Sequence, residues 1–346
     1  VSLFGYGMRY LPTVGQSGAD GEKQQSDDET IDQDRVNRLV DYALSHGVNY
    51  FDTAPVYSNG QSERATGMAL QRHKRSSYLL ASKMSNMRTF TKEASTAMFN
   101  NSLKVLQTRY IDYYALDAIG IDDDERDAME LFQARFIDNG VLDFLLQKRK
   151  EGTIRNLGFS FQGDQEVFDH ALSMHDTGQA HWDFAQIEMN YLSWNHAHEL
   201  KADKVNASYL YAELQKRGIP VMIMNPLLGG KLADLPNPVM AKLKQRAPEH
   251  SAASWTLRYC GSFKGVLTVV SNMTFMEHLK DNLRSFCPLE PLSDKDKAWL
   301  EGAVSKEMMT YRTIPCTDCK HCMPCPYGLN IPGIFVHYNH VVLEGH

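Results

Sequence analysis

The stretch RVNRLVDYALSHGVNYFDTAPVYSNGQSE (35–63) contains the unit from which the fold is built. Its first part, Arg35–Ser45, places four apolar side chains on one helical face: Val36, Leu39, Val40 and Ala43. This spacing predicts an amphipathic helix that stops near Gly47. The run Asn49–Asp52 follows and predicts a short buried strand. The chain therefore passes from a helix directly into a strand.

The same alternation continues along the chain. The predicted strands are Leu3–Met8, Asn49–Asp52, Tyr78–Ser82, Ile111–Leu116, Ile154–Phe159, Phe184–Asn190, Pro220–Met224 and Leu267–Ser271. The predicted helices after 35–45 are 62–72, capped by Ser62, and those near 93–106, 143–150, 165–174, 207–216, 251–260 and 275–285. Eight strands alternating with eight helices predict an α/β fold, a parallel (β/α)8 TIM barrel. A sandwich would require frequent hairpin turns, which the sequence lacks.

The barrel is predicted to occupy residues 1–290, and residues 291–346 to form a C-terminal helix and a cysteine-rich segment. The connections 13–33, 117–140 and 191–206 are longer than ordinary barrel loops and are expected at the C-terminal face, where barrel active sites lie. The acidic run 122–125 and the histidines His196 and His198 are interpreted as solvated loop residues. The tail Ile331–Asn339 is expected to form a helix that docks on the barrel.

Composition narrows the class of protein. The chain has 346 residues, 43% of them hydrophobic, and a formal net charge of −6 with both signs mixed throughout. The absence of a basic face argues against a nucleic-acid partner. No apolar run reaches the roughly 20 residues that span a bilayer. We expect a cytoplasmic protein, although the sequence starts at Val1 rather than at Met, which leaves an exported precursor open.

Four cysteines lie close together near the C-terminus: Cys316, Cys319, Cys322 and Cys325, with Pro326 directly after the last. The two-residue gaps and the trailing Cys-Pro are close to bacterial ferredoxin loops, whose last gap is three residues. The spacing favours a [4Fe–4S] cluster, while zinc or four unligated thiols remain alternatives. Cys260 and Cys287 are interpreted as buried thiols. Unpaired thiols suit a reducing compartment.

Polar residues gather at the predicted C-terminal ends of the strands. Asp52, Lys83 and Asp117 end three of them, and Tyr57 follows Asp52 by five residues. Parallel strands bring such residues together at one barrel mouth. An ammonium beside a phenol favours the phenolate, and an aspartate can orient the ammonium. These residues predict a proton-transfer site in which Lys83 lowers the pKa of Tyr57.

Several segments resemble the aldo-keto reductase family, and the resemblance covers nearly the whole chain. The segment 47–63 is similar to the signature around the catalytic Asp and Tyr, and ASKM (81–84) to the lysine strand. The other matching segments are SLKVLQTRYIDYYALD (102–117), RNLGFSF (155–161), FAQIEMNY (184–191), NPLLGGKL (225–232) and VVSNMTFMEHLKDN (269–282). The segment CTDCKHCMPCPYGLNIP (316–332) resembles the subgroup with an appended ferredoxin-like cluster.

The resemblance implies a role for each matching residue. Tyr57 would be the general acid, tuned by Lys83 and Asp52. Ser160 and Gln186 would hold the nicotinamide carboxamide of NADP(H) or NAD(H). The remaining implied cofactor contacts are Asn225, Leu227 and Gly229 for the pyrophosphate, and Thr274, His278 and Asn282 for the adenosine end.

The chain departs from the family pattern at several of these positions. Asp117 replaces the usual histidine, and a carboxylate there opposes negative charge developing on a carbonyl oxygen. It could instead accept hydrogen bonds from a hydroxyl-rich substrate or merely cap the strand. Met224 replaces a common aromatic residue, and Asn272 and His278 replace common cations, which leaves NADPH and NADH both open.

The sequence thus predicts an NAD(P)(H)-dependent oxidoreductase that interconverts a small carbonyl compound and an alcohol. One [4Fe–4S] centre moves one electron, whereas a hydride carries two, so the cluster is not expected to take part in the hydride transfer. It would instead be a structural element or a site of electron exchange with a redox partner protein. The alternative is a catalytically inactive barrel that acts as an iron–sulfur electron-transfer or ligand-binding protein. Asp117 supports this alternative, and the intact set of Asp52, Tyr57 and Lys83 argues against it.

Overall fold

The computed structural model describes residues 1–16, 30–311, 313–314, 316, 322–323, 325 and 326–344. Eight parallel strands close into a barrel in chain order. They are β1 Phe4–Gly7, β2 Tyr50–Asp52, β3 Leu79–Met84, β4 Ile111–Ile119, β5 Ile154–Phe161, β6 Phe184–Glu188, β7 Val221–Met224 and β8 Val266–Asn272. The predicted (β/α)8 barrel is confirmed, and no helix in the described part of the chain is long and apolar enough to cross a membrane.

The helices surround this barrel. They are α1 Gln33–Ser45, α2 Gln61–Leu70, α3 Lys92–Val105, α4 Ala128–Phe132, α5 Val141–Lys150, α6 Gln165–Asp176, α7 Ser193–Leu200, α8 Ala207–Lys216, α9 Asn237–Arg246, α10 Ala252–Gly261, α11 Met276–Phe286, α12 Asp294–Trp299, α13 Ser305–Met308 and α14 Ile331–Glu344. As predicted, α1 buries Val36, Leu39, Val40 and Ala43. Their burial against the strands supplies the main hydrophobic core.

β4 is longer than predicted, and this changes the place of Asp117. β4 continues through Asp117 to Ile119, where it pairs with Phe161 of β5, and the register shifts after Leu116. Ala118 has a φ of 48°, a left-handed conformation that is uncommon for alanine. Asp117 therefore lies within an irregularity of the strand rather than at its end.

Several predicted helix boundaries were wrong for identifiable reasons. Ser62 does not cap α2, which begins at Gln61 after the left-handed Gly60. Its hydroxyl instead donates a 2.6 Å hydrogen bond to the Met8 carbonyl and contacts Thr53 Oγ1. The predicted loop 191–206 contains α7, so His196 and His198 lie on a helix. The prediction also omitted α9, which lies between β7 and β8.

The C-terminal residues pack on the barrel through both apolar and polar contacts. Leu300 and Val304, in a π-helical segment between α12 and α13, are buried. The Ser305 hydroxyl donates to the Tyr191 carbonyl. On α14, Asn339 accepts a hydrogen bond from the Ile314 backbone N–H and donates one to the Ile314 carbonyl. The helix predicted over 331–339 is thus present and extends to Glu344. The division at residue 290 stays a prediction.

Candidate active site

Asp52, Lys83 and Tyr57 meet at the carboxyl ends of β2 and β3. The Lys83 ammonium lies 2.5 Å from Asp52 Oδ1 and 3.0 Å from the Thr53 carbonyl oxygen. Its nitrogen is also 5.0 Å from the centre of the Tyr57 ring. Asp52 and Lys83 are only 5% and 2% exposed, so this ion pair is shielded from water. The structure thus places the three residues predicted for proton transfer next to one another.

Nearby charges and burial shift the pKa values of Lys83 and Tyr57 in opposite directions. Burial disfavours the ammonium, but the nearby Asp52, Tyr57 and Asp117 outweigh it and raise the pKa of Lys83 above its usual value. For Tyr57, burial is the largest influence and raises the pKa of the phenol, although Lys83 and Arg9 pull it down. The predicted lowering of the Tyr57 pKa is therefore wrong in net direction, because desolvation of the phenolate exceeds the attraction of the two cations.

Asp117 lies beside this group and is held by two serine hydroxyls. Ser85 donates to Oδ2 at 2.5 Å, and Ser160 donates to Oδ1 at 3.0 Å. Below it, the buried Arg135 donates to the backbone carbonyls of Asp117 and Ala118 at 2.7 and 3.2 Å. Burial lowers the pKa of Arg135 to about 10, against the attraction of Asp117. The carboxylate is thus fixed in one orientation at the barrel mouth.

Three residues of this site were not predicted from the sequence. Ser85 follows Lys83 by two residues, so the alternation of side chains along β3 could have indicated it. Arg9 lies just past β1, with its guanidinium carbon 5.0 Å from the Tyr57 ring centre. Arg135 comes from the π-helical segment 133–137, and no sequence pattern connects that segment to β4.

The residues predicted for the nicotinamide lie next to Asp52 and Asp117. Ser160 and Gln186 are direct partners in the pairing of β5 and β6. Gln186 Nε2 donates to Asp52 Oδ2 at 3.2 Å, and the Ser160 hydroxyl accepts from the Ala118 backbone N–H at 2.7 Å. Both side chains are neutral and can pair with an amide. This donor and acceptor set fits a carboxamide.

The loop after β7 is a tight turn in which Asn225, Leu228, Gly229 and Gly230 all have positive φ. Asn225 joins the loop together, since Oδ1 accepts from the Gly229 N–H and Nδ2 donates to Glu188. The N–H groups of Leu228 and Gly230 donate to the carbonyls of Asn225 and Leu227 in the same turn. Contact of this loop with a pyrophosphate stays a prediction.

The three residues predicted for the adenosine end lie around β8 and α11. Thr274 donates to the Tyr10 carbonyl, and Asn282 Nδ2 lies 3.4 Å from the Ser271 hydroxyl. His278 packs edge-on against Phe275, and burial lowers the pKa of its imidazole. The guanidinium carbon of Arg35 also lies 5.5 Å from the centre of the Phe275 ring. Arg35 of α1 thus supplies a cation near the predicted adenosine end, where the sequence indicated no cation.

The cysteine segment is described only in part. Cys316, Cys322 and Cys325 belong to the described part of the chain, and Cys319 lies outside the described residues. Among the residues that are described, no three His, Cys, Asp or Glu side chains are grouped so as to hold a metal ion. Cys260 is buried as predicted, whereas Cys287 is exposed, contrary to the prediction. Cys287 lies at the end of α11, where its side chain faces solvent.

With this geometry established, comparison with known proteins defines the class. The model of the aldo/keto reductase family matches residues 18–304. The chain belongs to this family, a class of NAD(P)-dependent oxidoreductases. It is 23% identical over 278 residues to the oxidoreductase YqkF of Bacillus subtilis (strain 168), which covers 73% of this chain and 83% of that relative. A shorter segment of 81 residues is 42% identical to the aldo-keto reductase YhdN of the same organism. This match covers 21% of this chain and 24% of that relative.

Solved structures share the fold. An aldo-keto reductase from Klebsiella pneumoniae in complex with NADPH matches with a TM-score of 0.62 and 24% identity, covering 88% of this chain and 92% of that one. The thermostable aldo-keto reductase Tm1743 matches with a TM-score of 0.62 and 19% identity, covering 88% and 95%. These similarities confirm the barrel architecture.

Proposed function

We propose that this protein reduces a carbonyl compound to an alcohol with NADPH, and catalyses the reverse reaction when the alcohol and NADP⁺ are supplied. The observation that carries the proposal is the buried contact of Lys83 with Asp52, 2.5 Å long, directly beside the ring of Tyr57. A phenol beside a fixed ammonium can deliver a proton to a carbonyl oxygen without a water molecule. The family relationship supports the same chemistry.

When bound, the reduced nicotinamide supplies the hydride that adds to the carbonyl carbon. Tyr57 keeps its proton at neutral pH because its pKa is raised, and its hydroxyl gives that proton to the oxygen that becomes the alcohol. The phenolate left behind is stabilised by Lys83, whose own raised pKa keeps it charged throughout. Asp52 and the Thr53 carbonyl hold the ammonium in position.

Ser160 and Gln186 would hold the carboxamide, and the loop containing Asn225, Leu227 and Gly229 would hold the pyrophosphate. Thr274, His278 and Asn282 would contact the adenosine end. Support for the carboxamide contact comes from the neutral amide-compatible pair on β5 and β6. The Klebsiella pneumoniae structure is of a complex with NADPH, which supports NADP(H) as the coenzyme here.

Asp117 stands in the position of the family histidine and is proposed to accept a hydrogen bond from a substrate hydroxyl. Its two oxygens each receive one serine hydroxyl and retain further acceptor capacity. The carboxylate disfavours an alkoxide close to it, so unsubstituted aldehydes should react slowly. The same feature favours a second candidate, a barrel that binds nicotinamide nucleotides without turnover.

A nicotinamide absorbance assay separates these two candidates. Anaerobically purified protein would be mixed with NADPH or NADH and a panel of plain and hydroxylated aldehydes and ketones. The reductase predicts substrate-dependent loss of reduced nicotinamide, fastest with a hydroxylated carbonyl. If the protein binds NADPH tightly but turns over neither the carbonyl compounds nor the matching alcohols, the result would favour the catalytically inactive barrel.

We also propose that Cys316, Cys319, Cys322 and Cys325 hold a [4Fe–4S] cluster. The support is their spacing and the Cys-Pro that ends the run. The cluster takes no part in the proposed carbonyl chemistry. It would serve as a structural element or as a site of electron exchange with a redox partner protein. Such thiols require a reducing compartment, and we infer a cytoplasmic location on that ground.

Metal and sulfide analysis tests the cluster. Anaerobic protein should contain close to four irons and four labile sulfides per chain. Replacing Cys322 by Ser should remove most of this iron, whereas the matched control Cys287→Ser, at another exposed cysteine, should retain it. Stoichiometric zinc without labile sulfide would contradict the proposal.

A further inference from the structure

β4 contains a bulge at the position of Asp117. Its register against β5 shifts between Leu116 and Ile119, so that Asp117 and Ala118 together lie opposite the single residue Ser160. A bulge of this kind bends its strand and changes the direction of a side chain, often next to an active site. The backbone carbonyls within a bulge also leave the regular ladder of hydrogen bonds and need other donors.

Arg135 supplies these donors. Nη2 donates to the Asp117 carbonyl at 2.7 Å, and Nη1 donates to the Ala118 carbonyl at 3.2 Å. Arg135 is only 1% exposed and lies in the π-helical segment 133–137, a kind of helical turn that is common at functional sites. Its own carbonyl accepts from Asn86 Nδ2 at 3.0 Å and from Asn139 Nδ2 at 2.8 Å. The guanidinium is thus held in place and holds the bulge in turn.

The buried charge of Arg135 also requires an anion nearby. Burial lowers the pKa of this guanidinium, and the negative charge of Asp117 opposes the shift. Removing one member of a buried charge pair strongly destabilises a protein, because the other member is left uncompensated. Arg135 and Asp117 are therefore coupled in two ways, through the backbone of the bulge and through their opposite charges.

We propose that Arg135 is a positioning residue, which holds the bulge of β4 so that the Asp117 carboxylate lies beside Tyr57 in the orientation that a substrate hydroxyl meets. This inference rests on the proposed function, in which Asp117 accepts that hydroxyl, and adds the residue that sets the preference for it. Arg135 contacts neither substrate nor coenzyme in this account. Its substitution should therefore act through Asp117, and have little kinetic effect once Asp117 has lost its charge.

A double-mutant cycle tests the coupling without any turnover. Anaerobically purified wild-type protein, Arg135→Gln, Asp117→Asn and the double variant would be unfolded in urea. Each single change leaves one charge without its partner. The double variant should therefore be more stable than the sum of the two single losses predicts, by about fivefold or more in the unfolding equilibrium constant. Additive losses would overturn the inference, whatever the protein catalyses. If Arg135→Gln folds poorly, Arg135→Lys takes its place in the cycle.

Kinetics test the consequence for the substrate. 2-Hydroxypropanal and propanal differ only in one hydroxyl, so the ratio of their kcat/KM values reports the contact with Asp117. Arg135→Gln should lower this ratio by about fivefold or more, toward that of Asp117→Asn, and Arg135→Lys should retain part of it. The double variant should have the same ratio as Asp117→Asn alone.

Arg75→Gln is the matched control. Arg75 donates to the Tyr78 and Tyr110 carbonyls at 3.0 and 3.2 Å, near the start of β4, so its loss should reduce stability and leave the substrate ratio unchanged. A wild-type ratio of one, or a ratio that Arg135→Gln and Arg135→Lys both leave at its wild-type value, would overturn the inference while the reductase function stands. Absence of turnover with every compound would overturn the reductase function, and the stability cycle would still decide whether Arg135 acts together with Asp117.

Discussion

In the proposed site, a carboxylate at position 117 lies where the resemblance to the family implies a histidine. Ser85 and Ser160 hold it rigidly, so it cannot swing away from a developing alkoxide. Two unit charges 4 Å apart interact by about 4 kcal/mol at an effective dielectric of 20, which corresponds to roughly a 10³-fold effect on a rate. This magnitude is large enough to decide which carbonyl compounds react.

Asp117→His should therefore raise kcat/KM for plain, uncharged aldehydes at neutral pH, by up to about 10³-fold. Asp117→Asn removes the charge without supplying an imidazole, and should give a smaller rise. Steady-state kinetics on butanal would measure both. Rates that stay unchanged or fall in both variants would show that the carboxylate is not the obstacle.

The sequence was sufficient to predict that Asp52, Tyr57 and Lys83 lie close together, because each lies at or just beyond a strand end and parallel strands converge there. It could not predict Arg9 or Arg135, since their positions depend on loop and helix conformations that no short periodicity encodes. The direction of the Tyr57 pKa was also missed. Proximity of Lys83 was evident from topology, whereas the extent of burial required the structure.

Helix α2 is attached to its neighbours through a buried acid, Glu63. Ser82 of β3 donates to its Oε1 at 2.6 Å, and Ser102 of α3 donates to its Oε2 at 3.1 Å. Burial raises the pKa of Glu63 above its ordinary value, more than these hydrogen bonds and Lys83 lower it. The folded protein therefore holds this proton more tightly than the unfolded chain does.

This linkage has a defined sign. Because the folded-state pKa is raised, the contribution of Glu63 to the free energy of unfolding is greatest at low pH and falls as pH rises from about 4.5 through the folded-state pKa. Glu63→Gln cannot ionise, so its stability relative to wild type should increase over that window and then level off. Chemical denaturation across pH measures the difference. A difference independent of pH, or one that runs the other way, would contradict this account.

Helix α1 brings Arg35 to the surface proposed for the adenosine end. Its guanidinium lies against Phe275, between Thr274 and His278 in sequence. Arg35→Gln should thus raise the KM or Kd for NADPH more than for NADH, by about tenfold, because only NADPH carries the 2′-phosphate. Fluorescence titration with both coenzymes gives the ratio, with Arg38→Gln as the control on the same helix. An equal loss for both coenzymes would show that Arg35 does not contact the phosphate.

Elements with a clear apolar period were predicted well, and α1 is the best example. The short α7 was missed because its sequence, SWNHAHEL, has the polar composition of a loop, and its helix is interrupted by non-helical angles at His196. The extension of β4 was missed because hydrogen bonding to β5 resumes after an irregularity. Local composition does not reveal pairing of that kind.

At the scale of the whole molecule, a pair of polar contacts links the C-terminal helix α14 to Ile314. Asn339 of α14 pairs with both backbone groups of Ile314, whose carbonyl also accepts from Lys231 in the loop after β7. Asn339→Ala should leave the Ile314 N–H without this acceptor, at a cost of about 1–3 kcal/mol. Hydrogen exchange should become faster in α14 but not in the barrel strands. Unchanged exchange in α14 would contradict this role of Asn339.

The central claim, that Tyr57 is the proton donor of a carbonyl reductase, is tested most directly by Tyr57→Phe with NADPH and the best substrate of the panel. The account predicts that kcat falls by about 10²–10⁴-fold while the Kd for NADPH, measured by fluorescence, changes little. Phe keeps the ring beside Lys83 and removes only the hydroxyl. A Tyr57→Phe variant with undiminished kcat would contradict the account, because the proton would then come from another group.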